Sequence, residues 1–149
     1  MEMRKETLCA PAAGILCKNK TGGTFTVAFD DERDGDVVSP VGGVVTAVEK
    51  HGGRIALRTE GGMNVILEIG GRGEKMRTAN TARQMCHAYV APGDTVFPGQ
   101  RLLHAELSRI RFLGGESVCV VTADGTPAVR RRETGERVMA GQTPVMDFV

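Results

Sequence analysis

Histidine offers the widest chemistry of any side chain near neutral pH, and the chain contains three of them. The neutral imidazole is a nitrogen nucleophile and a common metal ligand. His51 precedes Gly52 and Gly53, whereas His87 and His104 lie in later segments. A histidine beside two glycines is typical of a turn, so we interpret His51 as a turn residue. Structural roles are favoured for the other two.

The four cysteines are the other candidate nucleophiles and metal ligands. They lie far apart and include no C-x-x-C pair, so the sequence favours reduced, buried thiols in a reducing compartment. Zinc ligation by these cysteines with His87 or His104 is an alternative, but ligand spacing is absent. We therefore expect no metal and no cofactor. The cysteines are Cys9, Cys17, Cys86 and Cys119.

Composition narrows the class of protein further. The 149 residues carry 19 Lys+Arg against 18 Asp+Glu, a net charge of +1, which suits a single domain spanning residues 1–149. Proteins bind nucleic acid through basic patches. The only candidate is the run of three arginines at 130–132, which two glutamates follow closely. We therefore predict a solvated strand end there and no nucleic-acid partner. No apolar stretch approaches the length of a membrane span. We expect a cytoplasmic protein without direct membrane insertion.

Alternating apolar residues predict strands that would position any site. In residues 54–58, Ile55 and Leu57 share one face and arginines occupy the other. A glycine-rich turn at 60–62 then leads into a more continuously apolar run at 63–69. The sequence predicts a β-hairpin here.

The rest of the chain also favours β structure. Residues 24–29 alternate and residues 44–48 are rich in β-branched side chains, whereas 72–85 shows no period of two and predicts a loop or a short helical turn. Pro-Gly and Asp-Gly pairs divide the remainder into short strands. The pattern predicts an all-β sandwich or barrel of short antiparallel strands with little helix.

Two internal repeats indicate a duplication. The pattern Pro-x-x-Gly followed by two aliphatic residues occurs at 11–16 and at 40–45. The pattern Gly-acid-x-Val-x-x-Gly-Gln occurs at 93–100 and at 135–142. Glycine allows special backbone angles or close approach, and proline suits strand starts. We expect two pseudo-equivalent halves that pack together.

In these motifs the chain resembles the glucose-type enzyme IIA component of the phosphoenolpyruvate-dependent sugar phosphotransferase system. The resemblance covers nearly the whole chain and implies a duplicated hybrid motif, a barrel-sandwich hybrid fold. The segment between Cys17 and Gly35 is shorter than in the family, and 72–85 is longer; both changes fall in predicted surface connections. The matching segments are 10–14, 39–43, 60–62, 67–70, 93–103 and 135–145.

The resemblance also implies where chemistry would occur. Family members use two histidines on neighbouring strands: one accepts a phosphoryl group from a donor protein, and the other hydrogen-bonds the phosphate. Here the acceptor position holds Glu68 and the supporting position holds Gly53. The acid that follows the acceptor in the family is replaced by Arg72. The resemblance places Ile66 and Gly70 with them in a shallow pocket that contacts protein partners.

Glutamate at the acceptor position argues against relayed phosphotransfer. A carboxylate repels an incoming phosphoryl group and would form a labile acyl phosphate. We hypothesise an ion pair between Glu68 and Arg72 that holds a permanent negative charge, like that of a phosphorylated carrier; a solvated surface glutamate is the alternative. The sequence therefore predicts a degenerate, non-phosphorylated binding or regulatory module. Its possible partner is a protein of the phosphotransferase system or a transporter component.

An active phosphocarrier in sugar uptake is the alternative function. His51 lies two residues before the supporting position, so both side chains would point to the same face of a regular strand. His51 could then act as a displaced phosphoryl acceptor. Whether its ring reaches the acceptor position is left open by the sequence.

Two other classes with related architecture fit less well. Zinc endopeptidases of this kind need a His-x-His pair, and no two histidines here are that close. Biotin or lipoyl carrier domains present a modified lysine at a hairpin tip. The nearest imitation, Lys75-Met76, lies in a polar stretch and not between matched strands.

Overall fold

A computed structural model describes residues 6–17, 22–30, 35–70, 82–114 and 116–148. Within them the regular structure is mostly β, as predicted. The strands are β1 (Glu6–Cys9), β2 (Gly14–Leu16), β3 (Thr24–Phe29), β4 (Asp36–Val38), β5 (Gly43–Val48), β6 (Arg54–Thr59), β7 (Asn64–Ile69), β8 (Cys86–Ala88), β9 (Thr95–Val96), β10 (Arg101–Ala105), β11 (Val118–Ala123), β12 (Pro127–Arg130), β13 (Arg137–Val138) and β14 (Pro144–Phe148).

The predicted hairpin is confirmed as β6 and β7. Gly62 closes the turn with a positive φ of +88°, and its N–H donates to the Thr59 carbonyl at 2.9 Å. Ile55 and Leu57 are fully buried, while Arg54 is exposed on the other face. The period of two in the sequence therefore identified both the strand and its buried face.

The strands form three antiparallel sheets. The largest has the order β13-β2-β3-β11-β7-β6-β5-β9, and the smaller ones have the orders β1-β14-β12 and β4-β10-β8. The large sheet divides between β11 and β7 into two sets of four strands, and each set has its own three-stranded sheet. This arrangement confirms the two pseudo-equivalent halves that the repeats predict.

Close backbone contacts explain the first repeated glycine. Gly14 begins β2 and pairs with Phe29, and Gly43 begins β5 and pairs with Thr59. A Cβ on Gly14 would collide with the Ala28 carbonyl oxygen, and a Cβ on Gly43 would collide with that of Arg58. Only glycine fits at this position of each half.

Backbone angles explain the second repeat. Gly93 and Gly135 have φ of +95° and +92°, and Gly99 and Gly141 have φ of +87° and +70°. Side chains rarely adopt this left-handed region. The two repeats also meet, since a Cβ on Gly141 would lie 2.9 Å from Gly99 Cα.

One continuous core lies between the large sheet and the two small ones. The inward faces of β3, β6, β7 and β11 supply aliphatic and aromatic side chains that are fully or almost fully buried. Burial of this apolar surface is the main stabilising contribution to the fold. The largest core residues include Phe25, Leu57, Leu67, Ile69, Leu103 and Phe148.

Among the residues that the structure describes, helical structure appears in two places. Of the predicted loop or helical turn at 72–85, residues 72–81 lie outside the described residues and 82–84 are helical. A short helix, α1 (Leu107–Phe112), was not predicted. It buries Leu107 and Ile110, which are three positions apart and share one face. One turn of pattern is too short to identify a helix from periodicity.

The basic run begins at the last residue of β12, and its first two arginines are exposed, as predicted for a solvated strand end. Arg131 also turns to the fully buried Asp147, with 2.8 Å between the guanidinium NH2 and Oδ2. Thr7 also donates to this carboxylate at 2.7 Å. Asp147 lies on β14 between β1 and β12, so the ion pair ties the three strands together.

Candidate functional site

The candidate acceptor position lies at the centre of the large sheet. Glu68 is on β7, opposite Arg54 of β6 and Val120 of β11. Alternate residues of β7 fill the core, so Ile66 and Glu68 point to the opposite side of the sheet, away from the core. β7 ends at Ile69, and Gly70 follows with a φ of +90°.

Glu68 is buried, which contradicts the alternative of a solvated surface glutamate. The residue is 8% exposed because Arg83, from the helical turn at 82–84, covers it. Its Oε2 lies 3.8 Å from the Arg83 NH1 nitrogen, and its Oε1 lies 3.6 Å from Arg54 Nε. Arg83 Nε also lies 3.4 Å from Glu49 Oε1. We call Glu49, Arg54, Glu68 and Arg83 the Glu68 cluster.

The Glu68 cluster balances charge and offers no neutral nucleophile. Two guanidinium groups face two carboxylates, and the Glu68 and Arg83 side chains are only 10% and 13% exposed. Burying a carboxylate is costly unless opposite charge compensates it. The two arginines provide that compensation. The arrangement can hold a fixed geometry, but it lacks the lone-pair nitrogen that accepts a phosphoryl group.

The supporting position has no room for a side chain. A Cβ on Gly53 would lie 2.5 Å from Arg83 Cα and 2.7 Å from the Arg83 carbonyl oxygen. At Gly52, where φ is +79°, a Cβ would lie 2.5 Å from the Ala88 backbone nitrogen. The backbone around Arg83 therefore occupies the space that a histidine at residue 53 would need.

His51 lies in the turn between β5 and β6, so the assumption of a regular strand through His51 and Gly53 is wrong. The turn is closed by the Gly52 N–H, which donates to the Glu49 carbonyl at 2.7 Å. His51 is exposed and lines a cavity of about 300 Å³ together with Glu49 and His87. Glu68 is not among the described residues that line this cavity.

Several sequence-predicted residues cannot be placed. Arg72 lies outside the described residues, so its ion pair with Glu68 stays a prediction. Lys75-Met76 also lies outside them.

Beside Glu68, the side of the large sheet that points away from the core is weakly polar. Ile66 is half-buried, Val120 is 6% exposed, and Thr122 pairs with Ile66 across β11 and β7. The Thr122 hydroxyl oxygen is buried and makes no hydrogen bond to a described residue. Ile66, Val120 and Thr122 lie beside Glu68 on the same side of the large sheet. We call these three residues the outer face.

Three members of the cluster, Glu49, Arg54 and Arg83, were missed by the sequence analysis. Arg54 could have been found, because the predicted turn at 60–62 sets the hairpin register that places it opposite Glu68. Arg83 lies in a segment without periodicity, and nothing local indicates that it packs on Gly53.

The remaining histidines meet elsewhere. His104 on β10 is directly opposite His87 on β8 and Asp36 on β4. His104 Nδ1 lies 2.8 Å from Asp36 Oδ1. In the part of the chain that the structure describes, no three His, Cys, Asp or Glu side chains lie close enough together to hold a metal ion by themselves.

The cysteines are free thiols. Cys86 and Cys119 are buried, as predicted, whereas Cys9 and Cys17 are partly exposed. Burial raises the pKa of Cys86 to about 12, with further contributions from Glu106 and Glu49, and burial raises the pKa of Cys119 well above its usual range. Both buried thiols are therefore protonated near neutral pH and are poor nucleophiles.

The duplicated β architecture, with its two halves joined between β7 and β11, is that of an enzyme IIA-like protein. Residues 15–129 match the family model for the phosphoenolpyruvate-dependent sugar phosphotransferase system, EIIA 1. The chain belongs to this family.

Named relatives agree with this assignment. The glucose-specific EIIA component of Halalkalibacterium halodurans is 29% identical over 118 residues, covering 78% of this chain and 65% of that protein. The glucose-specific EIICBA component of Streptococcus pneumoniae is 28% identical over 134 residues, covering 88% of this chain. The chain spans only 17% of that relative, and 17% of the beta-glucoside-specific EIIBCA component of Bacillus subtilis, which is 27% identical over 113 residues.

A solved structure confirms the fold. The glucose permease IIA from Mycoplasma capricolum matches with a TM-score of 0.78, covering 97% of this chain and 96% of that one at 15% identity. In the described part of this chain, every helix is too short or too polar to span a bilayer.

Proposed function

We propose that this EIIA-family chain is a binding or regulatory module that carries no phosphoryl group. In this proposal residues 1–149 form one enzyme IIA-like domain that works in the cytoplasm.

The observation that carries the proposal is the Glu68 cluster. Glu68, which the resemblance places at the acceptor position, is buried and faces Arg54 and Arg83. The Arg83 backbone fills the space beside Gly53, where a supporting histidine would lie. Phosphotransfer at this position would require a nucleophile and room for a phosphate, and the cluster provides neither. Since the arginines offset its charge, Glu68 is a poor substitute for a phosphorylated carrier, and this weighs against our hypothesis of a permanent negative charge.

The proposed partner is another protein component of the phosphotransferase system or a transporter component. Two relatives have names that join EIIA to B and C components in one protein. The outer face of Ile66, Val120 and Thr122 would form the contact, and the net charge of +1 gives no reason to expect nucleic acid. The substitution Ile66→Lys should weaken this association, whereas Glu60→Lys in the exposed turn of the same hairpin should leave it unchanged.

The decisive experiment is a phosphorylation assay. The chain is incubated with phosphoenolpyruvate and the general donor proteins, and its intact mass is measured under non-acidic conditions. The glucose-specific EIIA component of Halalkalibacterium halodurans serves as the positive control. We expect the control to gain the mass of a phosphoryl group and this chain to remain unchanged. Stoichiometric phosphorylation of this chain would overturn the proposal.

The alternative function, an active phosphocarrier that uses His51, makes a distinct prediction in the same assay. Its support is the exposure of His51 and the cavity that His51 shares with His87. If the chain gains a phosphoryl group and His51→Ala abolishes the gain, this alternative is correct.

A further inference from the structure

His87 and His104 lie side by side on one small sheet, outside the Glu68 cluster. His87 on β8 and His104 on β10 are directly opposite partners in an antiparallel pair. Directly opposite side chains share a face, and their Cβ atoms lie about 4.5–5.5 Å apart. Two imidazoles at this separation can bind the same metal ion, with each metal–nitrogen distance about 2.0–2.1 Å.

A carboxylate fixes the protonation pattern of one ring. Asp36 lies on the other side of His104, on β4, with its Oδ1 2.8 Å from His104 Nδ1. A carboxylate only accepts hydrogen bonds, so Nδ1 carries the proton and Nε2 of the neutral ring carries the lone pair. Arg101 holds the second oxygen of Asp36, with 3.5 Å between its NH1 nitrogen and Oδ2. A carboxylate behind a histidine is the usual support for a metal ligand.

The pair is open to solvent. His87 is exposed and the His104 side chain is 35% exposed, so an ion can reach both rings without movement of the core. Imidazole ligands suit nickel, zinc and copper ions, whereas magnesium and calcium prefer oxygen.

We propose that His87 and His104 bind a divalent transition-metal ion through their ring nitrogens, with Asp36 as a positioning residue. No third ligand lies close enough among the described residues, so water completes the coordination shell. His87 shares a cavity with Glu49 and His51, but neither proposed ligand belongs to the Glu68 cluster, and the proposal does not depend on the proposed function.

Titration calorimetry with Ni²⁺ tests the site, because Ni²⁺ favours imidazole over the partly exposed thiols. We expect one ion per chain, with His87→Ala and His104→Ala each weakening binding at least about tenfold. His51→Ala is the matched control, since it removes the other exposed histidine and should leave binding unchanged. Binding that survives His87→Ala, or that falls equally in His51→Ala, would overturn the proposal.

The role of Asp36 needs a readout beyond affinity. Second-sphere substitutions typically lower metal affinity about 10–100-fold. Asp36→Asn should do so, and the nitrogen chemical shifts of His104 should show loss of the single Nδ1-protonated form in the metal-free protein. A shift pattern that Asp36→Asn leaves unchanged would exclude the positioning role. Thermal melts of each variant show whether the fold is retained.

Discussion

The two halves of the molecule share one backbone plan and differ at its centre. The pair Leu67 and Val121 lies midway along the ladder between β7 and β11. Rotation about this pair exchanges the two halves, and it exchanges Glu68 with Thr122. One position holds a buried carboxylate that faces two arginines, and the other holds a buried hydroxyl without a described partner.

The difference arises from the connections between strands. Residues 124–126 join β11 to β12, whereas residues 70–85 join β7 to β8. The longer connection contains Arg83, which covers Glu68 and packs on Gly53. The same duplicated fold thus holds two different polar residues at matching positions, because the shared core does not depend on either of them.

The largest expected effect comes from restoring a side chain at the supporting position. Gly53→His should destabilise the protein by about 3 kcal/mol, because its Cβ would overlap the Arg83 backbone and overpacking is costly. Gly22→His is the control in the other half, where the nearest atom to an added Cβ is Pro127 Cγ at 3.4 Å. Urea unfolding of both variants measures the difference. Equal midpoints for the two would show that the backbone at Arg83 yields freely.

Glu68 and Thr122, which the rotation exchanges, should change the free energy of unfolding in opposite directions when they are substituted. Glu68→Gln should lower the free energy of unfolding by about 1–3 kcal/mol, because it removes the charge that compensates the buried Arg83 guanidinium. Thr122→Val should raise it by about 1 kcal/mol, because it removes a buried hydroxyl without a described hydrogen bond. Urea denaturation of each single variant tests both values. Destabilisation by Thr122→Val would mean that the hydroxyl is satisfied in solution.

Sequence reasoning recovered the fold more completely than the site. Hydrophobic alternation and repeated glycines depend on near neighbours, so they identified β6, β7 and the duplication. The ion pair between Glu68 and Arg54 follows from the hairpin register, so it could have been predicted from the sequence. The contact of Arg83 with Gly53 joins residues far apart in sequence, and no local pattern encodes it. The burial of Glu68 follows from that contact and was missed with it.

The smallest expected effect concerns a buried thiol and its counterpart in the other half. The same rotation that exchanges Glu68 with Thr122 exchanges Cys119 with Val65. Burial raises the pKa of Cys119, so the folded chain keeps this proton at a pH where the unfolded chain loses it. The Cys119 thiol makes its full contribution to the free energy of unfolding below the unfolded thiol pKa of about 8.5, and this contribution falls as the pH rises above that value.

Cys119→Val should therefore remove part of the alkaline destabilisation. Between pH 8 and pH 9.5, the wild type should lose about 1 kcal/mol more of its unfolding free energy than the variant, at about 1.4 kcal/mol per pH unit once the unfolded thiol is ionised. Val65→Cys places a second buried thiol at the matching position of the other half and should add a loss of similar size. Urea unfolding at several pH values compares the three proteins. Parallel curves for all three proteins would show that an ionised thiol is tolerated in the fold at both positions, which would contradict the prediction.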